Sequence, residues 1–247
     1  MENKKKVALC IHGLFDSLTD SSSKGIDGYE HIRKNILDRK DVQVDTFIHS
    51  WEKEKKDEIL ELYRPKASVF EEQIDFSSFI KERNLDKLQN CPRPIGNVIS
   101  HLYSVTETMK LAYQQNYDYD IVVKARFDLG RINRGTSGPG RQNPYPVQCI
   151  NFKTNIEPNK LYNANWQHFR MGPADMWFYG DHKTMKNFTG LFDFVVTNLH
   201  IGGDFHKFAM SIEGNPGDLS NAIALYKYWM LNNGLWENRI NLETTWE

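Results

Sequence analysis

The fold is decided by the stretch Tyr117-Asp118-Tyr119-Asp120-Ile121-Val122-Val123-Lys124-Ala125-Arg126-Phe127-Asp128-Leu129-Gly130. Its apolar run, residues 121–123, is short, β-branched and preceded by an acidic, aromatic turn, which is typical of a strand buried on both faces. Charged residues follow at the carboxyl end of this strand, where ligands bind in open α/β sheets. Lys124, Arg126 and Asp128 are therefore predicted to face a cleft for a phosphorylated or metal-bound substrate. The alternative is a strand that runs into a solvated loop with a surface ion pair.

The size and composition of the chain limit its class. With 247 residues, of which 40% are hydrophobic, residues 1–247 are predicted to form a single domain with a full core. Lys and Arg number 31 against 32 Asp and Glu, so the charge balance does not indicate a nucleic-acid partner. Three widely spaced cysteines outside any CxxC pattern favour a reducing compartment. Because the first apolar run is too short for a signal peptide or a membrane span, we expect a cytoplasmic protein without a transmembrane segment.

The first 51 residues predict a strand, a helix and a second strand, which together imply a parallel pair. Residues 7–11 are apolar and lead into His12 and Gly13, where the glycine would let the backbone approach a ligand closely. Residues 29–39 have helical spacing, and residues 42–48 form a strand that stops at His49-Ser50-Trp51. The predicted fold class is α/β, with a mixed, mainly parallel twisted sheet of Rossmann type flanked by helices.

Later segments complete this prediction. Apolar residues at helical spacing predict a long helix over residues 97–115, and residues 176–179 predict a further strand. A long loop at about 130–146, rich in Gly, Pro, Asn and Arg, is interpreted as a substrate lid. Asp181 is predicted to cap a helix, and a C-terminal helix at about 219–233 is predicted to be capped by Asp218 or Ser220.

Several catalytic motifs are missing from the sequence. It contains no Gly-x-x-x-x-Gly-Lys-Ser/Thr, no Gly-x-Gly-x-x-Gly after the first strand, no Gly-x-Ser-x-Gly and no His-Glu-x-x-His. These absences argue against a P-loop enzyme, a dinucleotide-binding domain, an α/β-hydrolase and a zinc protease. Among eight histidines, His206 follows a Gly-Gly-Asp loop and could reach a divalent cation or a diphosphate. Trp51, Trp166 and Trp177 offer aromatic faces for a sugar ring or a base, with core packing as the alternative.

Motifs in order along residues 7–199 resemble the GT-A type glycosyltransferases, in particular the small nucleotide-sugar-dependent enzymes of large DNA viruses and bacteria that modify glycans. The strongest likeness is that of residues 119–129 to the family's YD-x-V-x-x-x-R-x-D-L segment. Residues 175–181 look like its later D-x-x-F-x-G strand. Weaker likenesses are residues 7–13, 44–51, 63–66 and 100–104.

The resemblance implies transfer of a hexose or pentose from a nucleoside-diphosphate sugar to a hydroxyl of a glycan or glycoconjugate. The donor would be bound by residues at the ends of three strands: His12, Gly13, His49, Trp51, Lys124, Arg126 and Asp128. If the enzyme inverts the sugar's configuration, a carboxylate must take the acceptor's proton, with Asp175 as the first candidate and Asp204 as the second. If it retains the configuration, no such base is required of the protein.

The family's metal motif is Asp-x-Asp, and here Arg126 stands in the first position. The resemblance implies Mn²⁺ or Mg²⁺ held by Asp128, with His206 as a further candidate ligand, while Arg126 could instead contact a phosphate directly and partly replace the ion. Two alternatives stay open. One is a sulfo- or phosphotransferase that uses the same basic strand end, and the other is a non-catalytic nucleotide- or carbohydrate-binding module of the same fold.

Overall fold

The structure is a computed structural model that describes residues 4–16, 25–87, 94–133, 145–146, 148–165, 172–212 and 218–244. Within these residues the chain forms nine strands and eight α-helices. The strands are β1 (Lys5–Gly13), β2 (Val42–Ser50), β3 (Ala67–Phe70), β4 (Ile121–Arg126), β5 (Ile132–Asn133), β6 (Tyr145–Pro146), β7 (Leu161–Ala164), β8 (Trp177–Gly180) and β9 (Arg239–Leu242). The helices are α1 (Gly25–Ile32), α2 (Lys56–Tyr63), α3 (Ser77–Glu82), α4 (Ile95–Tyr113), α5 (His182–Met185), α6 (Leu191–Asn198), α7 (Asp204–Ser211) and α8 (Ala222–Asn232).

Seven of the strands form one mixed sheet in the order β3-β2-β1-β4-β8-β7-β9. β8 is antiparallel to both of its neighbours, and the other six strands run in one direction. The two short strands β5 and β6 form a separate antiparallel pair. The expected mixed, mainly parallel sheet flanked by helices is therefore confirmed, and the order β3-β2-β1-β4 matches the first four strands of the Rossmann order 3-2-1-4-5-6.

The sheet is buried on both faces, as the apolar runs of its strands predict. Successive side chains of a strand point to opposite faces, so Ala8 and Cys10 join the core beneath α4 while Leu9 and Ile11 join the core beneath α1 and α2. The strand-helix-strand units β1-α1-β2 and β2-α2-β3 place α1 and α2 on one face, and α4 crosses back on the other face to β4.

The connection from β3 through α4 to β4 creates a switch point in the sheet, where the strand order reverses. The chain leaves β1 towards β2 on one side, and later returns as β4 on the other side of β1. Such a reversal of strand order opens a crevice outside the carboxyl ends of the two strands, which is where open α/β sheets bind ligands. The carboxyl ends of β1 and β4 lie side by side at this switch point, with His12 in register with Arg126.

Several expected elements are confirmed with shifted ends. The helix predicted over residues 97–115 is α4, and the C-terminal helix predicted at about 219–233 is α8. Asp181 caps α5 by accepting a hydrogen bond from the Thr184 N–H, but the predicted helix divides into α5, a 3₁₀ turn and α6. α2 ends at Tyr63, just before Pro65, and Arg64 between them lies in the left-handed region.

Other expectations need correction. The predicted cap of α8 by Asp218 or Ser220 is wrong, because Asn221 accepts the N–H groups of Ile223 and Ala224. Asp218 instead accepts hydrogen bonds from Ser220. Most of the long loop predicted at about 130–146, residues 134–144, lies outside the described residues, as does Trp166. None of the helices in the described part of the chain combines the length and the apolar character that a membrane span requires.

Candidate functional site

Charged and aromatic side chains gather at the switch point, on the face of the sheet that α4 covers. We call His12, His101, Lys124, Arg126, Asp128, Asp175 and Tyr226 the switch-point cluster. Three strands supply a row of residues in register, since His12 of β1 pairs with His49 of β2 and with Arg126 of β4. Residues in register on neighbouring strands point to the same face, so the row lies along the carboxyl edge of the sheet.

Arg126 is the centre of the charge arrangement. Its Nε and one terminal nitrogen donate to the two oxygens of Asp128 at 2.9 and 2.7 Å, which is a bidentate pair. The other terminal nitrogen lies 3.5 Å from Oδ2 of Asp175. A guanidinium carries five N–H donors, so this arrangement fixes its plane and leaves donors for a further anion. The structure shows that Arg126 and Asp128 pair with each other at the strand end and that Arg126 is one-third exposed, and the prediction that they face a ligand stays a prediction.

Lys124 lies deeper in the same cluster. Its side chain is fully buried, and the ammonium donates to the main-chain oxygen of Asp175. It also lies over the rings of Phe178 and Tyr226, at 5.4 and 5.7 Å from their centroids. The pKa of Lys124 is lowered to about 7, chiefly by burial; the charge of Asp175 opposes this decrease and that of Arg126 adds to it. Lys124 therefore exchanges its proton near neutral pH, and an anion bound nearby would favour the charged form.

Two histidines close the cluster on the α4 side. The rings of His12 and His101 meet edge to face at 5.0 Å, and Nε2 of His101 lies 3.2 Å from the Tyr226 hydroxyl and 3.7 Å from Oδ2 of Asp175. Burial, followed by the charge of Lys124, lowers the pKa of His101 to about 3 and that of His12 well below its ordinary value. Both imidazoles are therefore neutral at physiological pH. Neither ring nitrogen of His12 has a hydrogen-bond partner among the described residues.

Asp175 keeps its charge at any physiological pH. Burial alone would raise its pKa, but the charge of Arg126, with those of Lys124 and of a His101 that is itself protonated at such low pH, outweighs burial and holds the pKa at about 2. A carboxylate with such a pKa is a weak proton acceptor at neutral pH. The arrangement therefore supports Asp175 in holding Arg126 and Lys124 in place more than in taking a proton from a substrate.

A second group lies next to the switch-point cluster, where β2 and β3 end. Nδ1 of His49 lies 2.7 Å from the Ser104 hydroxyl, and Nε2 lies 2.9 Å from Oε1 of Glu71. Trp51 stacks on Tyr103 with 5.5 Å between ring centroids and 25° between ring planes. The predicted donor residues His49 and Trp51 are thus in contact with each other, at 4.7 Å between rings, and one strand away from His12.

The loop after β1 is held by the last residue of β2 and by a residue just beyond it. Gly13, with a φ of 102° that favours glycine, accepts a hydrogen bond from the Ser50 hydroxyl. The carboxylate of Glu52 accepts the backbone N–H groups of Phe15 and Asp16. Burial raises the pKa of Glu52, and these two N–H groups oppose the increase. Backbone N–H groups after the first strand are the usual phosphate cradle of such folds, and here a side-chain carboxylate occupies them.

Asp204 and His206 lie elsewhere. Both belong to α7, where Asp204 is 77% exposed and pairs with Lys207 at 3.1 Å, and where Nδ1 of His206 accepts the N–H of Gly202. Among the described contacts, none joins these two residues to the switch-point cluster. The sequence prediction placed them in the same site as Asp128, and the structure does not bring them to it.

The residues of the cluster are a poor match for the Mn²⁺ or Mg²⁺ that the resemblance implies. Divalent ions of this type are held by carboxylate and other oxygen ligands. Here both oxygens of Asp128 accept from Arg126, whose positive charge opposes a neighbouring cation. Within the described residues there is also no group of three or more His, Cys, Asp or Glu side chains that could hold a metal. The roles proposed for these residues therefore rest on the side chains alone.

Some of these residues were not singled out by sequence reasoning. Glu52, Glu71 and Tyr226 are ordinary polar residues at loop and helix positions, and nothing in their spacing distinguishes them. His101 had a detectable signal, because His101, Ser104 and Thr108 form a polar stripe at helical spacing beside the apolar face of α4. Thr108 bonds the carbonyls of Ile11 and Phe47, so this stripe faces the strand ends.

The fold and the site together define a Rossmann-like α/β protein with a charged cluster at its switch point. Compared with protein-family models and with curated proteins, the chain matches none. The function proposed for the chain therefore rests on the geometry of the switch-point cluster.

Proposed function

We propose that the protein is a glycosyltransferase of the GT-A type, which transfers a sugar from a nucleoside-diphosphate sugar to a hydroxyl of a glycan or glycoconjugate. The supporting observation is the guanidinium of Arg126, fixed at the switch point by Asp128 and Asp175 with Lys124 behind it. A position of this kind in a Rossmann-like sheet is where nucleotides bind. The mixed, mainly parallel sheet agrees with the fold that the resemblance implies.

In this reaction the bond between the anomeric carbon and the diphosphate oxygen breaks, the acceptor's hydroxyl oxygen forms the new bond to that carbon, and the hydroxyl proton passes to the departing diphosphate. The leaving diphosphate gains negative charge. Arg126 is oriented before the donor arrives, so it stabilises this charge without reorganisation. Lys124 supplies a second positive charge when the anion raises its pKa back towards the ordinary value. Asp128 and Asp175 hold the guanidinium in its plane.

The test uses Asp128→Asn with Asp41→Asn as its matched control. Asp41 accepts the same bidentate pair from Arg39, on the opposite edge of the sheet. Thermal unfolding is measured with and without nucleoside diphosphates and nucleotide sugars, because a ligand that binds the folded state raises its stability by mass action. We expect ligand stabilisation and sugar transfer in the parent chain and in Asp41→Asn, and loss of both in Asp128→Asn. Equal behaviour of the two variants would remove the switch-point cluster from the function.

A metal arm belongs to the same experiment. The expectation of Mn²⁺ or Mg²⁺ stays a prediction, and titration of nucleoside diphosphates in the presence and absence of Mn²⁺ tests it. Because Arg126 occupies both oxygens of Asp128, we expect similar affinities in the two conditions. A strong gain with Mn²⁺ would show that the ion displaces this pair.

A second candidate function is a binding module without turnover. Two observations favour it, namely the engagement of both Asp128 oxygens by Arg126 and the pKa of about 2 of Asp175, which leave neither carboxylate of the cluster as a good base. Nucleotide-sugar binding without transfer to any acceptor and without hydrolysis would support this second function.

A further inference from the structure

The residues where β2 and β3 end form a second polar and aromatic surface that the reaction chemistry does not use. We call Trp51, Glu71 and Tyr103 the base platform. Trp51 and Glu71 directly follow the paired strand ends Ser50 and Phe70, so they lie side by side at the carboxyl edge. Tyr103 of α4 supports Trp51 from behind through the stacked contact and is itself packed edge to face on Phe192 at 5.1 Å. Trp51 is partly exposed.

The base platform and the switch-point cluster are arranged along one line. Glu71 follows β3, His49 lies on β2, His12 on β1 and Arg126 on β4, and these four strands are consecutive in the sheet. Neighbouring strands are about 4.8 Å apart, so the line is about 14 Å long. An extended nucleoside diphosphate has a comparable length. With its diphosphate at Arg126, its base would reach Trp51 and Glu71.

The hydrogen-bonding capacity of Glu71 defines the kind of base. Its carboxylate only accepts, so Nε2 of His49 carries the proton of their 2.9 Å contact, and Ser104 donates to Nδ1. These two hydrogen bonds fix the carboxylate of Glu71. Burial and the charge of Glu71 raise the pKa of the neighbouring Tyr103 to about 12. The Glu71 side chain is still 35% exposed, and a carboxylate offers about four acceptor positions. The Glu71 carboxylate can therefore accept further hydrogen bonds from its solvent-facing side.

We infer that the donor's base is guanine, stacked on Trp51 and bonded through its N1–H and 2-amino groups to Glu71. This inference rests on the proposed function and adds the identity of the donor's base. Guanine presents two neighbouring donors on its Watson–Crick edge, which match the two oxygens of a carboxylate in a bidentate, charge-assisted pair. The N–H of uracil lies between two carbonyl oxygens, and the amino groups of adenine and cytosine lie next to a ring acceptor. Each of those bases turns at least one acceptor towards the carboxylate.

The experiment measures the affinities of GDP, IDP, UDP, ADP and CDP by calorimetric titration. IDP keeps the N1–H of guanine and lacks the 2-amino group, so it isolates one of the two bonds. Since hydrogen bonds to a charged partner are the strong ones, we expect GDP to bind at least about tenfold more tightly than UDP, ADP or CDP, with IDP between them.

Two variants connect the preference to Glu71. Glu71→Gln replaces one acceptor by a donor, and we expect it to remove most of the difference between GDP and UDP. Glu72→Gln is the matched control, because the neighbouring Glu72 is 85% exposed and pairs with Lys53. It should keep the preference. Thermal unfolding of both variants shows that each is folded at the temperature of the titration.

The outcomes separate this inference from the proposed function. Equal affinity for all five diphosphates, or a preference for UDP, ADP or CDP, overturns the guanine assignment and leaves nucleotide binding intact. An equal loss of affinity for every nucleotide in Glu71→Gln would also overturn it, since that pattern places the ribose at the carboxylate. If none of the diphosphates binds, the proposed function fails as well.

Discussion

Two arginine-aspartate pairs of the same geometry lie at opposite edges of the sheet. Arg39 and Asp41 are two residues apart and form a bidentate pair at 2.9 and 2.6 Å just before β2, while Arg126 and Asp128 form theirs at 2.9 and 2.7 Å at the end of β4. The first pair is anchored to the Phe152 carbonyl and the Thr154 hydroxyl. The second has Asp175 and Lys124 as neighbours.

The difference lies in position, because the covalent pattern is identical. Asp41 is 47% exposed at the amino edge, where Rossmann-like sheets do not bind ligands, whereas Asp128 is 17% exposed at the switch point. An Arg-x-Asp pattern alone therefore does not indicate a site. The strand end that carries it, and the buried charges around it, distinguish the pair proposed to bind the donor from the pair at the other edge.

The largest expected effect is on catalysis. Arg126→Met should lower kcat for sugar transfer by about 10²–10³, the usual cost of removing a fixed donor that stabilises developing charge. Arg39→Met should leave kcat unchanged, because its pair lies at the other edge. Steady-state rates with a nucleotide-sugar donor make this comparison.

Arg126→Lys adds a control for charge, since lysine keeps the positive charge but loses the bidentate geometry. We expect it to recover only part of the activity. If Arg39→Met and Arg126→Met reduced turnover equally, the contrast between the two edges would be lost.

The next effect concerns the buried lysine beside the second pair. Lys124→Met should leave the free energy of unfolding unchanged or raise it by about 1–4 kcal/mol near pH 7, because a buried charge is replaced by an apolar side chain of similar size. The folded pKa of Lys124, about 7, lies below the unfolded value of about 10.4. Between these values the unfolded chain binds more protons, so parent stability rises with pH and the advantage of the variant shrinks. Denaturant titrations from pH 7 to pH 10 measure this convergence, and a constant difference would contradict the shifted pKa.

A smaller effect follows from His101. Its folded pKa of about 3 lies below the unfolded value of about 6.5, so the unfolded chain takes up a proton that the folded chain refuses. Stability should therefore fall as the pH decreases through this window. His101→Gln should reduce that fall by about 1–2 kcal/mol between pH 6 and pH 4.5. Unfolding curves at pH 7, 5.5 and 4.5 provide the test, and an identical pH dependence in the variant would show that His101 is protonated in the folded state.

The smallest effect is expected at the amino edge. Arg39→Met should lower the free energy of unfolding by less than about 1 kcal/mol, as is usual for exposed pairs, and high salt should reduce the loss. The hydrogen bond from Arg39 lowers the pKa of Asp41, so the pair stabilises the fold above the unfolded pKa of about 3.9 and stops doing so as the pH falls below it. Chemical denaturation at two salt concentrations and at pH 7 and pH 3 measures both dependences. A loss of unfolding free energy well above about 1 kcal/mol would contradict the exposed, structural role of the Arg39–Asp41 pair.

The sequence predicts the central part of this fold because hydrophobic periodicity is strong there. The runs in β1, β2 and β4 and the long apolar face of α4 are set by local pattern, and with them the switch point follows. β7 and β9 were not predicted, since Leu161–Ala164 and Arg239–Leu242 are short and lack an apolar run. Their place in the sheet depends on pairing with distant strands.

The sequence also indicates one part of the switch-point cluster but not the rest. Lys124, Arg126 and Asp128 follow from charge at the end of a buried strand, and the structure places them together at the switch point. Glu71, Tyr226 and the role of His101 depend on how α4 and α8 pack over that edge, which the local sequence does not encode. Asp204 and His206 looked suitable by residue type, but α7 presents Asp204 to solvent.

Glu52 has a consequence for the way phosphate can be held. Its carboxylate already satisfies the N–H groups of Phe15 and Asp16, so an incoming phosphate meets like charge at the loop where related architectures offer a nest of backbone donors. At that loop the carboxylate of Glu52 takes the place of a bound anion. If the protein binds a diphosphate as proposed, the Phe15 and Asp16 N–H groups are not available to it, and its affinity would depend mainly on Arg126 and Lys124.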